Sequence, residues 1–123
     1  MMNQYEVPAY LEDSVPGLRQ RLRQLPAVFQ LYDTMTCFTR FTHDQLLTHN
    51  YAVAARCLKA AGRLYSRGNQ FVKQAIIGIF IHDLAQLPLQ DNRERIDRCN
   101  LIPENIYPFY IQEQLNQQHH GNK

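Results

Sequence analysis

Tryptophan is absent from this 123-residue chain, glycine occurs five times, and cysteine occurs three times without any Cys-x-x-Cys pair. Each scarcity removes a class. Without a glycine-rich turn there is no phosphate-cradling loop. Without paired cysteines there is neither a zinc ribbon nor a disulfide framework. Cys37 and Cys57, set among apolar residues, read as small hydrophobes in a reducing compartment. The longest apolar run, residues 75–81, has seven residues, against the roughly 20 that a membrane-spanning helix needs. The first residues show no basic segment leading into an apolar one, so no signal peptide is expected and the chain reads as cytoplasmic and soluble. Nor is there charge of one sign. Residues 1–62 carry six Lys and Arg against five Asp and Glu, and residues 63–123 carry seven against six. Only Arg19, Arg21 and Arg23 approach a cationic cluster, and on a helix they fan out, which argues against a nucleic-acid partner.

What is present is apolar periodicity of the helical kind. Prolines stand at 8, 16, 26, 88, 103 and 108, so long helices fit between Pro26 and Pro88. Ser14 and Pro16 are placed to open a short helix through Leu18, Leu22 and Leu25. The next follows Pro26, with Val28, Leu31, Tyr32, Met35, Phe38 and Phe41 at three- and four-residue steps as far as Leu46 and Leu47. Thr34, Thr36, Thr39 and Thr42 give it modest helix propensity, so packing has to hold it. Asn50 is placed to cap a helix over 51–67 with the stripe Tyr51, Ala54, Ala55, Leu58, Ala61, Gly62 and Tyr65, and with Arg56, Lys59 and Arg63 on the other side.

Gly68 then fits a C′ residue of positive φ, and Asn69 caps a helix over 70–87. That helix has the cleanest period, Val72, Ala75, Ile76, Ile79, Phe80, Leu84 and Leu87. Ile77 and Ile81 give it a second apolar face, so it is expected to be the most buried. Beyond Pro88 come a charged helix through Arg93, Ile96 and Cys99, and an amphipathic one from Pro103 carrying Ile106, Phe109, Tyr110, Ile111 and Leu115. The expectation is an all-α, single-domain bundle of five or six helices around a central antiparallel hairpin, 51–67 and 70–87. Residues 1–13 and 117–123 are expected to be irregular.

Candidate chemistry is sparse. None of the cysteines has a neighbouring His to activate it, and no Ser sits in a glycine-flanked elbow. His119 and His120 fall in the tail and read as solvated. Seven Tyr and six Phe exceed what a core without Trp needs. Tyr5, Tyr10, Tyr107, Phe109 and Tyr110 lie in the terminal segments, where such side chains suit an interface with another protein.

Two resemblances add expectations. His82-Asp83 late in an apolar helix, with His49 33 residues upstream, resembles the HD-domain phosphohydrolases. In those enzymes a His on one helix and a His-Asp pair on a later one hold a divalent metal. The resemblance implies His49, His82 and Asp83 as ligands of an ion that activates water. The distant Asp of that family is not matched, since Asp91 and Asp97 follow within 8 and 14 residues, and Ala85-Gln86 stand where it has Gly-Lys. His43-Asp44 is a second such dipeptide.

The stretch Leu64-Tyr65, Gly68-Asn69, Val72, Ala75-Ile76 and Ile79-Phe80 resembles a family of small, uncharacterised bacterial all-helical domains. Asn50, Pro103, Tyr110 and Gln112 extend that resemblance over residues 30–115. It implies a cytoplasmic domain without established activity, similar to immunity proteins that neutralise toxins. The favoured reading is therefore a non-enzymatic protein-binding domain of the immunity type. It has a toxin as partner, the five terminal aromatics as contacts, no cofactor, and no nucleic acid or membrane to bind. A divergent HD-type phosphohydrolase and a self-associating helical scaffold are the alternatives.

Overall fold

Apolar side chains at three- and four-residue spacing become helices along nearly all of the chain. The computed structural model describes residues 1–25 and 30–121, with backbone alone for 118–121. Its elements are α1 (Val7–Ser14), α2 (Leu18–Arg23), α3 (Leu31–Leu47), α4 (Tyr51–Arg67) and α5 (Gln70–Ala75). They are followed by a π-helical turn (Ile76–Ile81), α6 (His82–Gln86), α7 (Asn92–Leu101) and α8 (Tyr107–Gly121). The junctions of α5, the π turn and α6 keep right-handed helical angles, so the three form one rod. Counted that way, the described residues form seven helices and no strand. The all-α bundle and its central hairpin stand as expected, with α4 and the rod joined through Gly68 and Asn69.

The extra helix is α1, where irregular chain was expected. Val7 and Leu11, one turn apart, are fully buried, and Val15 continues their line. Pro8 falls in the first turn, where its missing N–H costs nothing. Ahead of it, Asn3 Oδ1 accepts the backbone N–H groups of Tyr5 (2.9 Å) and Glu6 (3.2 Å). The first residues are then stitched to the hairpin turn. Met2 N–H donates to Arg67 O at 2.7 Å, and Asn69 N–H donates to Met2 O at 2.8 Å. Asn69 Nδ2–H donates to Gln4 Oε1 at 2.9 Å. At the other end, α8 continues through residues 117–121, so that part of the tail is helical as well.

Asn69 caps α5 as expected, its Oδ1 accepting Val72 N–H at 3.1 Å. Gly68 does not adopt positive φ; it is extended, at φ −72° and ψ 155°. Glycine is needed there for space. A Cβ would lie 2.5 Å from both Leu64 O and Val72 Cγ1. Among the described residues, the left-handed ones are Gly17 (φ 87°) and His49 (φ 60°). Gly17 precedes α2, while Ser14 ends α1 and opens nothing. Asn50 precedes α4, but its side chain donates to Gln45 Oε1 and leaves the helix N–H groups alone.

The core is built between α3, α4 and the rod. Phe38 of α3 stacks on Phe80, ring centroids 4.9 Å apart, which adds about 0.5–1.5 kcal/mol beyond area burial. Two of the threonines are accommodated within their own helix. Thr39 Oγ1–H donates to Met35 O (2.7 Å) and Thr42 Oγ1–H to Phe38 O (2.9 Å). Tyr32 and Leu47 leave the expected stripe and are exposed; Pro26 and Val28 fall outside the described residues. In the rod, the π turn shifts the register: Ile81 is fully buried while Ile77 and Ile79 are only half-buried. In α7 the expectation inverts. Ile96 is exposed, and Arg98, 2% exposed, fills the inward position.

Candidate functional site

The five aromatics do not share a surface. Tyr110 is 1% exposed and belongs to the core, its hydroxyl meeting Gln114 Nε2 at 3.2 Å, so it leaves the set of partner contacts. Phe109 is half-buried against Tyr65, centroids 5.2 Å apart, and Lys73 Nζ lies over the other aromatic of that pair. Tyr107 is exposed on the first turn of α8. Tyr5 is 71% exposed, and Tyr10 on α1 is half-buried, with a buried hydroxyl that has no hydrogen-bond partner among the described residues.

The three residues implied by the HD resemblance are not assembled into a site. Among the described residues, no group of three His, Cys, Asp or Glu is suited to hold a metal ion. His49 is exposed at the α3–α4 turn, its Nδ1 2.9 Å from the Tyr51 hydroxyl. His82 has both ring nitrogens engaged. Gln86 Nε2–H donates to its Nε2 (2.6 Å), which leaves Nδ1–H to donate to Glu113 Oε2 (3.1 Å). Asp83 lines a separate cleft of about 250 Å³ with His43, Gln86, Leu87 and Pro88.

In that cleft, burial is the main influence on His43 and pushes its pKa below the ordinary 6.5. Asp83 opposes the shift, Arg98 reinforces it, and Asp44 opposes it. A depressed folded-state value means that the unfolded chain takes up the proton first. Stability is therefore expected to fall as pH drops below about 6.5 and to level off once native His43 is also protonated. Urea denaturation of the wild type and His43→Leu across that window checks this. Equal slopes for the two proteins count against it. Two of the thiols are disfavoured as nucleophiles: Cys57 is fully buried, which raises its pKa to about 11, and burial also raises that of Cys37.

The cations distribute differently from the sequence expectation. Arg19 and Arg23 both face Glu12 (3.8 and 3.7 Å), and Arg21 pairs with Asp44 (2.8 Å). Positive charge without an ion-pair partner is concentrated on α4. Arg56, Lys59, Arg63 and Arg67 are all exposed, α4 contains no Asp or Glu, and none of the four makes an ion pair among the described residues. Four of the thirteen Lys and Arg are thus on one helix, and eleven Asp and Glu outnumber the remaining nine. The signal was present in the sequence as an acid-free helical segment. It was hidden because each half of the chain is balanced when counted as a whole.

Tyr10, Asp13 and Ser14 of α1 line a groove against Arg56, Lys59 and Arg63 of α4, about 390 Å³ in volume. Toward the far end of α4, Met1, Met2 and Glu6 form a second hollow of about 400 Å³ with Ser66 and Arg67. Exposed cations, an unsatisfied tyrosyl hydroxyl and exposed apolar residues at the N-terminus therefore run along one face.

The fold and this face define a helical bundle with a cationic α1–α4 surface. The chain belongs to the family described as Domain of unknown function (DUF7674), whose model matches residues 8–120. No curated protein and no solved structure matches the chain. The expected uncharacterised small-domain family is thereby met, and the match reaches beyond the 30–115 stretch on both sides. Among the described residues, no helix is long and apolar enough to cross a membrane.

Proposed function

We propose that the protein is a non-enzymatic protein-binding domain of the immunity type, acting in the bacterial cytoplasm by occupying a toxin. Its partner docks on the α1–α4 face. The observation that carries this reading is α4 itself, four exposed cations without a carboxylate on the helix or an ion-pair partner among the described residues. Isolated surface charges are ordinarily balanced by neighbours, whereas a one-sign stripe steers a complementary partner and rejects others. Tyr5, at 71% exposure, is the N-terminal aromatic with the most area to bury on binding.

Tagged full-length chain recovered from its own cells tests the proposal. A single stoichiometric partner is expected by mass spectrometry, with recovery reduced about tenfold by Tyr5→Ala. A chain that always purifies alone counts against it.

A further inference from the structure

Arg56, Lys59, Arg63 and Arg67 follow one another at three- and four-residue steps, so they occupy one stripe of α4. At 1.5 Å per residue that stripe is about 16 Å long. Beside it, the α1–α4 groove supplies two hydroxyls, those of Tyr10 and Ser14. The Tyr10 hydroxyl is buried without a hydrogen-bond partner among the described residues. The opposite wall carries Asp13 in this groove and Glu6 in the adjoining hollow, both on the N-terminal side.

We infer that the α1–α4 groove seats an acidic helix of the partner protein, with carboxylates repeating every three or four residues against the α4 stripe. This rests on the protein-binding reading proposed above and gives the partner its chemistry. A helix is the occupant that matches the stripe, because its carboxylates recur with the same rise and spacing as the cations they meet. Guanidinium groups take carboxylates through paired N–H donors, so Arg56 and Arg63 orient the ligand as well as attract it. Asp13 and Glu6 repel the ligand from the α1 wall and direct it to the α4 side.

A nucleic acid fits less well. Its phosphates carry charge at every step and would meet those two acids, and the whole chain is only +2. The α2–α3 groove, about 520 Å³, is a weaker candidate for an anion, since Asp33 lines it and its Arg21 is already paired with Asp44.

The test uses the full chain and a fluorescein-labelled helical peptide of about 18 residues, with Glu at three- and four-residue steps on an alanine background. A control peptide has Gln for every Glu. Fluorescence anisotropy is expected to give saturable binding of the Glu peptide. Affinity is expected to fall about tenfold or more for the Gln peptide, for the Arg56→Gln/Arg63→Gln variant, and on raising salt from about 50 to about 500 mM. Circular dichroism of the variant is expected to match wild type. Equal affinity for the two peptides, or an unaltered double variant, overturns the inference. Tighter binding of an oligothymidine than of the Glu peptide overturns it in favour of nucleic acid.

The two proposals fail separately. A partner recovered from cells and fully retained by Arg56→Glu/Arg63→Glu overturns the acidic helix and leaves protein binding standing. Specific binding of the Glu peptide by a chain that captures nothing from its cells does the reverse.

Discussion

Gly68→Ala is expected to remove about 3 kcal/mol of folding stability, a large effect for a single methyl group. The backbone of Gly68 is extended, so alanine adopts its conformation without strain. The loss comes from space alone. The added Cβ would lie 2.5 Å from Leu64 O and 2.6 Å from Val72 Cβ. One is backbone and the other is the branch point of a fully buried side chain, so neither moves aside without displacing α4 or α5. Because Met2 pairs with the residues on either side of Gly68, the displacement also loosens the N-terminal segment.

Gly78→Ala is the control. Nothing lies within 4 Å of its Cβ position, and alanine is expected to stabilise the helix by about 0.5–1 kcal/mol. Urea midpoints of the two variants check both numbers. If Gly68→Ala costs under about 1 kcal/mol, the close approach is not holding the hairpin turn.

Arg98→Ala is expected to cost about 3 kcal/mol or more. The rod ends at Gln86, and Pro88 prevents its continuation, which leaves terminal carbonyls facing inward. Arg98 Nη1–H donates to Leu87 O at 2.7 Å and Nη2–H to Pro88 O at 3.0 Å, while Glu94 Oε1 lies 3.7 Å from Nη2. Truncation removes both donors and leaves Glu94 without its cation. Glu94 is itself held, accepting Gln90 N–H at Oε2, so it does not turn out to water freely. Arg98→Lys is expected to recover less than half of the loss, since an ammonium cannot span both carbonyls as the planar guanidinium does. Chemical denaturation with circular dichroism reads the series. A lysine variant as stable as wild type would show that charge alone suffices at this corner.

The limits of α4 and the Asn69 cap follow from periodicity and turn chemistry, which are local and were legible. So was α1 in principle, since Val7, Leu11 and Val15 recur every four residues. Pro8 at its start and Pro16 just beyond it disguise the segment as loop. The π turn was not legible. A 3.6-residue template places Ile79 in the core, whereas the wider turn leaves Ile79 half-buried and carries Ile81 inward. The candidate site was harder still. Arg56, Lys59 and Arg63 were visible on the polar side of α4, but whether they are neutralised depends on which acids the fold brings near. Arg19, Arg21 and Arg23 looked like the cluster and turned out to be paired.

The order of apolar and polar residues was enough to determine that this chain is helical, where its longest helices run, and that Gly68 and Asn69 join two of them. Local propensity and spacing carry that information. Only the tertiary structure decided that Arg98 is inside and Ile96 outside, that Met2 is tied to the hairpin turn, and that no acid among the described residues forms an ion pair with the α4 cations. Those outcomes depend on which residues meet across long stretches of chain. Burial of a guanidinium or exposure of a charge is set by its neighbours in space.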